Sequence, residues 1–72
     1  MKNTIKVERA RHNMTQQDLA DKLAVSRQTI LAIEAGKFNP STLLSIRMAR
    51  LFGCRVEDLF TIDDEEEKGL VL

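Results

Sequence analysis

Arg27 and Gln28 stand side by side in a polar stretch that begins at Ser26 and continues to Thr29. An arginine guanidinium pairs with two acceptor atoms of guanine, and a glutamine carboxamide pairs in the same two-point manner with adenine. A helix that begins with such residues brings them to base edges in the major groove of DNA, and its first amide groups suit phosphates. The stretch therefore predicts a base-reading helix, and the alternative interpretation is a solvated polar helix face.

The elements that position this stretch are two helices joined by a very short connection. Residues 15–18 (Thr-Gln-Gln-Asp) have the pattern of a capping box, and apolar residues follow at helical spacing as far as Leu23. Only Ala24 and Val25 separate this helix from Ser26, a favourable residue at which to begin the next one. We therefore expect a helix-turn-helix corner.

Capping residues and helix terminators divide the rest of the chain into further short helices. No stretch has the alternating pattern and turn residues that a sheet would require. The sequence predicts an all-α domain of five short helices, with the helix-turn-helix formed by the second and third. The predicted boundaries are Asn3 or Thr4 to about His12 for the first helix, Gly36 as the end of the third, Ser41 to Gly53 for the fourth, and about residues 56–60 for the fifth.

Charge is distributed unevenly along a chain whose formal net charge is zero. Residues 1–56 carry ten basic and four acidic side chains, whereas residues 57–72 carry seven acidic side chains and one basic. The body alone has the charge balance of a polyanion-binding domain, which the overall isoelectric point of 6.6 conceals. We predict a DNA-binding domain over residues 1–62 and an acidic tail over residues 63–72.

The tail itself allows several interpretations. Five consecutive acidic residues, 63–67, repel one another and are expected to be solvated. They either cover the basic face and suppress non-specific binding or only improve solubility. The apolar end, residues 69–72, either docks onto a partner subunit or frays.

Composition excludes several classes of protein. A chain of 72 residues forms one small domain, and its longest apolar run, Ile30 to Ile33, is too short for a membrane span or a secretion signal. With one cysteine, Cys54, and one histidine, His12, no disulfide or structural zinc site is expected. His12 is expected to be a surface or packing residue and Cys54 to be packed, and neither is expected to catalyse. We predict a cytoplasmic protein that is not an enzyme and has no cofactor, metal or membrane partner.

The run from residue 15 to residue 30, followed by Ile-Glu-Ala-Gly-Lys at 33–37, resembles the Xre/Cro/phage-repressor group of helix-turn-helix proteins. Residues 39–41, 49–50 and 56–60 extend the resemblance through residue 60. The chain is especially similar to the very short stand-alone regulators of this group, which lack a ligand-binding domain. The resemblance implies a five-helix lambda-repressor-like domain with double-stranded DNA as its partner and no small-molecule ligand.

The resemblance also implies roles for individual residues. Arg27 and Gln28 would read bases, while Gln16 would hold a phosphate and brace Gln28. Arg9 and Glu34 would form an internal salt bridge, which is structural rather than catalytic. The other implied contacts are to bases from Ser26, Thr29 and, weakly, Ala32, and to phosphates from Asn13, Lys37 and Asn39.

Two residues depart from the pattern of the group. Ala24 stands at a turn position usually given to glycine, and a positive φ there would cost about 1 kcal/mol. Glu8 stands where many members have leucine, which thins the apolar face of the first helix. Both departures concern stability, because neither removes a predicted contact residue.

A single short helix contacts few base pairs, and the group solves this with a twofold dimer whose recognition helices lie about 34 Å apart. The candidate interface residues are Val56, Leu59, Phe60 and Ile62, some of which also complete the core. We expect a regulator of transcription, most often a repressor, that binds a twofold-symmetric operator as a homodimer and joins the nucleoid when bound. The alternative is an antitoxin-like or coactivator-like protein-interaction module that retains the fold.

Overall fold

The computed structural model describes residues 1–69. This part of the chain contains six short helices and one pair of two-residue strands. The helices are α1 (Ile5–Arg11), α2 (Gln16–Leu23), α3 (Arg27–Glu34), α4 (Thr42–Phe52), α5 (Val56–Leu59) and α6 (Asp64–Lys68), and the strands are β1 (Lys2–Asn3) and β2 (Phe60–Thr61). The predicted helical class is confirmed. Among these described helices, none is long and apolar enough to cross a membrane.

Side-chain hydroxyl groups begin three of the helices where the sequence predicted. Thr15 Oγ1 accepts the amide of Asp18 at 3.0 Å, and the Asp18 carboxylate accepts the amide of Thr15 at 2.9 Å, which completes the capping box. Ser26 Oγ accepts the amide of Thr29, and Ser41 Oγ accepts the amide of Leu44, both at 3.1 Å. These bonds satisfy helix-end amides that would otherwise lack partners.

The first four helices end in the same way. A residue in the left-handed region lies one or two positions after the end of each helix, and the next amide donates back to a carbonyl five residues earlier, as in the Schellman motif. The left-handed residues are Asn13 (φ 53°), Ala24 (57°), Gly36 (74°) and Gly53 (70°). The four bonds run from Met14 N to Arg9 O, Val25 N to Ala20 O, Lys37 N to Ala32 O and Cys54 N to Ala49 O, at 2.9, 3.0, 2.9 and 3.0 Å. Ala24 thus occupies a conformation that favours glycine.

One hydrophobic core unites α1 to α5. The largest side chains that are almost completely buried come from each of these helices: Ile5, Leu19, Ile30, Ile33, Met48 and Leu59. Because α2 and α3 both contribute to this core, the corner between them is held from behind and its outward side faces solvent.

The predicted count of five helices was one too few, because the acidic run forms α6. Asp63 Oδ1 accepts the amide of Glu66, and Glu66 Oε1 accepts the amide of Asp63, both at 2.9 Å. This capping box and the favourable field at a helix N-terminus offset the repulsion between the carboxylates. The acidic side chains are largely solvated, as expected. The predicted docking or fraying of the apolar end concerns residues 69–72, of which 70–72 lie outside the described residues.

No pattern in the sequence indicated a strand, yet β1 pairs with β2 in antiparallel fashion. Lys2 lies opposite Thr61, and Asn3 lies opposite Phe60. Strands of two residues are too short to show an alternating pattern in the sequence. The pairing joins the start of the described chain to the segment after α5.

Candidate nucleic-acid interface

The turn between α2 and α3 is closed by packing behind it. Leu19 and Leu23 on α2 and Ile30 and Ile33 on α3 are between 0% and 3% exposed. The amide of Val25 reaches back to α2, and Ser26 caps the beginning of α3. The orientation of α3 relative to α2 is therefore determined by buried contacts, independently of any ligand.

Arg27 and Gln28 project from the first turn of α3 into solvent. Both side chains are exposed, and within residues 1–69 neither forms a side-chain hydrogen bond or a salt bridge. Gln16 lies at the first position of α2 and is half-buried, and it does not form the predicted hydrogen bond with Gln28 in this part of the chain. The two predicted base readers thus have their full hydrogen-bonding capacity available for a ligand.

The other residues predicted to contact bases differ in their exposure and in the hydrogen bonds that their side chains form within the protein. Ser26 Oγ and Thr29 Oγ1 lie 2.9 Å apart, and Ser26 Oγ also caps the helix. Ser26 Oγ keeps capacity for one further bond, and Thr29 Oγ1 keeps capacity for two. Ala32 is half-buried, whereas Leu31, which was not among the predicted contacts, is 39% exposed. Leu31 lies three residues after Gln28 and four after Arg27, so helical spacing alone would have placed it on the same face of α3.

The residues predicted to contact phosphates lie before α2, at its first position and in the loop after α3. Lys37 and Asn39 are exposed in the loop after α3, and Gln16 begins α2. Asn13 is exposed and follows α1 with a φ of 53°, a conformation for which asparagine is favoured over most residues. The type of residue at this position is therefore explained by helix termination, whether or not its side chain also contacts a phosphate.

Arg9 and Glu34 tie the end of α1 to the end of α3. Arg9 Nε lies 2.8 Å from Glu34 Oε2, and Arg9 Nη2 lies 3.1 Å from Glu34 Oε1. Arg9 Nη1 donates to the carbonyl oxygen of Met14 at 3.1 Å. The two side chains are only 13% and 11% exposed, so this two-point pair is poorly accessible to water and acts as a structural tie.

Asn3 forms a second tie to the end of α3, and sequence reasoning missed it. Asn3 Nδ2 donates to the carbonyl oxygen of Ile33 at 3.0 Å, and Asn3 Oδ1 accepts the amide of Ile5 at 3.2 Å. The partners are 30 positions apart, so no local pattern could have indicated the contact. The carboxyl end of α3 is thus held from both β1 and α1, while its amino end remains open.

Residues 5–59 match the helix-turn-helix family, a range that contains α1 to α5 and the open amino end of α3. The chain belongs to the helix-turn-helix family. Its type is that of the Xre/Cro group, as the resemblance implied, and this is a class of transcriptional regulators rather than of enzymes.

Several relatives of this helix-turn-helix protein match along nearly their whole length. An uncharacterized HTH-type transcriptional regulator of Methanocaldococcus jannaschii is 56% identical over 66 residues, which cover 92% of this chain and 100% of that protein. One from Archaeoglobus fulgidus is 50% identical over 69 residues, with 96% and 99% covered. YgzD of Bacillus subtilis, also an uncharacterized HTH-type transcriptional regulator, is 40% identical over 65 residues, with 90% and 98% covered.

A solved structure shares the fold. The hypothetical transcription factor NHTF from Neisseria superposes with a TM-score of 0.70 at 21% sequence identity, covering 92% of this chain and 76% of that chain. At this identity the likeness concerns the architecture alone, and it agrees with the helical packing described above.

His12 is an exposed residue that lies against Phe52, and Cys54 packs on the core. The His12 ring lies 5.3 Å from the ring of Phe52, and its Nδ1 donates to the carbonyl oxygen of Glu8 at 2.9 Å. Cys54 is half-buried against the core, and desolvation, with smaller contributions from Glu8 and Asp58, raises the pKa of its thiol. A thiol held in the protonated state is a poor nucleophile.

Two of the four candidate interface residues complete the core of the single subunit, as expected for some of them. Leu59 is 0% exposed and Phe60 is 7% exposed, so both belong to the core of the single subunit. Val56 is half-buried against the same core, and Ile62 is 45% exposed. Ile62 is therefore the candidate with a side chain free to meet a second copy.

Proposed function

We propose that this helix-turn-helix protein is a sequence-specific regulator of transcription that binds double-stranded DNA through α3. The observation that carries the proposal is the exposure of Arg27 and Gln28, without side-chain partners in the described structure, at the amino end of a helix anchored by the buried Ile30 and Ile33. A rigid helix end with free two-point donors suits insertion into the major groove. The relatives named as transcriptional regulators support this assignment.

Phosphate contacts would orient α3 on the duplex. Lys37 and Asn39 extend from the loop after α3, while Gln16 and Asn13 approach from the beginning of α2 and the end of α1. Such contacts carry little sequence information and make affinity depend steeply on salt. For a dimer we expect the release of roughly four to eight counterions.

The proposed assembly is a homodimer on a twofold-symmetric operator. α3 has eight residues and reaches only a few base pairs, so two copies about 34 Å apart supply the remaining contacts. Ile62, directly after β2, and the exposed edge of Val56 are the proposed contact points between subunits. The proposed action is repression by occupying a promoter, in the cytoplasm at the nucleoid, with regulation through concentration and dimerisation rather than a small-molecule ligand.

The experiment that tests this function is the selection of bound duplexes from a random pool at physiological salt. The wild-type protein is compared with the double variant Arg27→Ala/Gln28→Ala and with Arg50→Ala, which removes an exposed positive charge from α4. We expect a twofold-symmetric site from the wild type and from Arg50→Ala, and loss of that site in the double variant. A folded wild-type protein that enriches no sequence would refute the proposal and favour a protein-interaction module.

A further inference from the structure

Leu31 is an exposed apolar residue in the middle of the outward face of α3. Its side chain is 39% exposed, whereas Ile30 and Ile33 on the opposite face are 0% and 1% exposed. Residues three and four apart on a helix share a face, so Leu31 lies beside both Gln28 and Arg27. Its side chain is thus part of the surface that the proposed function presents to DNA.

An apolar side chain has a single kind of partner among the base edges of the major groove. Leu31 neither donates nor accepts hydrogen bonds, so the polar edge atoms of guanine, cytosine and adenine offer it no specific contact. The C5-methyl group of thymine is the apolar group that this groove displays. Ala32, placed at a base-facing position by the resemblance, has a shorter side chain and is half-buried. The exposed apolar position on α3 is therefore Leu31.

We propose that Leu31 packs against the C5-methyl group of a thymine in each half-site and is a specificity-determining residue beside Arg27 and Gln28. This inference rests on the proposed function, because it requires α3 to enter the major groove. Removing one buried methyl group from a contact corresponds to about a fourfold loss of affinity. In a twofold dimer, loss at both half-sites multiplies to about fifteenfold.

Replacing thymine by uracil tests the contact, because uracil lacks the C5-methyl group and keeps the hydrogen-bonding atoms. The DNA is the site that the wild-type protein selects, with each thymine replaced in turn and symmetrically in both half-sites. Dissociation constants are measured for the wild type, Leu31→Ala and Ile46→Ala. The last variant is the matched control, since it removes the same number of carbon atoms from a side chain on α4 that is 40% exposed.

The inference predicts a coupling between one protein side chain and one methyl group. We expect one uracil replacement to weaken the wild type and Ile46→Ala by about fifteenfold and to leave the affinity of Leu31→Ala unchanged. The inference is overturned if no replacement weakens binding by the wild type. It is also overturned if each replacement that weakens the wild type weakens Leu31→Ala by the same factor. Those results leave the proposed function standing, because the wild type still selects a site. A wild-type protein that selects no site overturns both.

Discussion

Replacing Ala24 with glycine should stabilise this protein, although the change removes a side-chain carbon. Ala24 has φ 57° and ψ 42°, a left-handed conformation in which the Cβ atom crowds the following carbonyl. That conformation costs an L-residue about 1–2 kcal/mol, and glycine adopts it freely. The opposing effect is the greater freedom of glycine in the unfolded chain, worth about 0.4–1 kcal/mol.

The expected net effect is an increase of about 0.5–1 kcal/mol in the free energy of unfolding. Since Ala24 is exposed, the truncation removes little buried surface that could offset this gain. For a domain of this size the change corresponds to an increase of about 2–8 °C in melting temperature. Urea unfolding followed by circular dichroism measures it, with an unchanged slope showing that the surface exposed on unfolding is the same in both proteins.

Ala35→Gly is the matched control for this experiment. Ala35 follows α3 as Ala24 follows α2, and it is also exposed, but its φ of −76° and ψ of −5° lie in the right-handed region. Glycine offers no relief there, so we expect this variant to lose about 0.4–1 kcal/mol. If both variants are destabilised alike, left-handed strain at Ala24 is not the explanation for its conformation and the reasoning is refuted.

Three further predictions concern the ion pair, the phosphate loop and the helix cap. Glu34→Gln should lower the free energy of unfolding by about 3 kcal/mol, because it leaves the poorly exposed guanidinium of Arg9 without its counter-charge. Glu57→Gln, at an exposed carboxylate, is the control. An equal effect of the two variants in urea unfolding would contradict the structural role of the ion pair. Lys37→Ala should weaken the binding of all duplexes alike and reduce the slope of log affinity against log salt by about one per subunit. Titrations of DNA binding at several salt concentrations measure this slope. A loss of affinity confined to one DNA sequence would show that Lys37 reads bases. Folding lowers the pKa of Asp18, chiefly through the hydrogen bond that its carboxylate accepts from the backbone in the capping box. The carboxylate therefore contributes stability above its unfolded pKa, and this contribution is lost as the pH falls through the folded pKa. Asp18→Asn should accordingly be less stable than the wild type at neutral pH and approach it in acid, and a stability gap independent of pH would show that the charge of Asp18 plays no part.

The helix boundaries could be predicted from the sequence because they depend on near neighbours. Thr15, Ser26 and Ser41 bond to amides three positions ahead, and the residues that end the helices act through bonds to the preceding turn. A left-handed conformation at Ala24 was suggested by the resemblance to the Xre/Cro group, in which glycine usually stands at this position. The capping box of α6, Asp63 with Glu66, is also local, and it stabilises a helix in a run whose repelling charges alone do not predict one.

The contacts that sequence reasoning missed join residues far apart in the chain. β1 meets β2 across almost the whole described sequence, and Asn3 bonds to Ile33 at a separation of 30 positions. Packing against the other helices also decided which of the candidate interface residues complete the core, namely Leu59 and Phe60. None of these contacts leaves a pattern within one helical turn.

The sequence by itself therefore determined that this chain forms short capped helices, that two of them meet at a helix-turn-helix corner, and that Arg27 and Gln28 begin the second of the pair. These features depend on capping, turn conformation and helical periodicity, which act over a few residues. Only the tertiary structure decided which apolar side chains face solvent, among them Leu31 and Ile62, and which complete the core. Burial is a property of the assembled helices, because an apolar residue leaves water only when distant parts of the chain cover it.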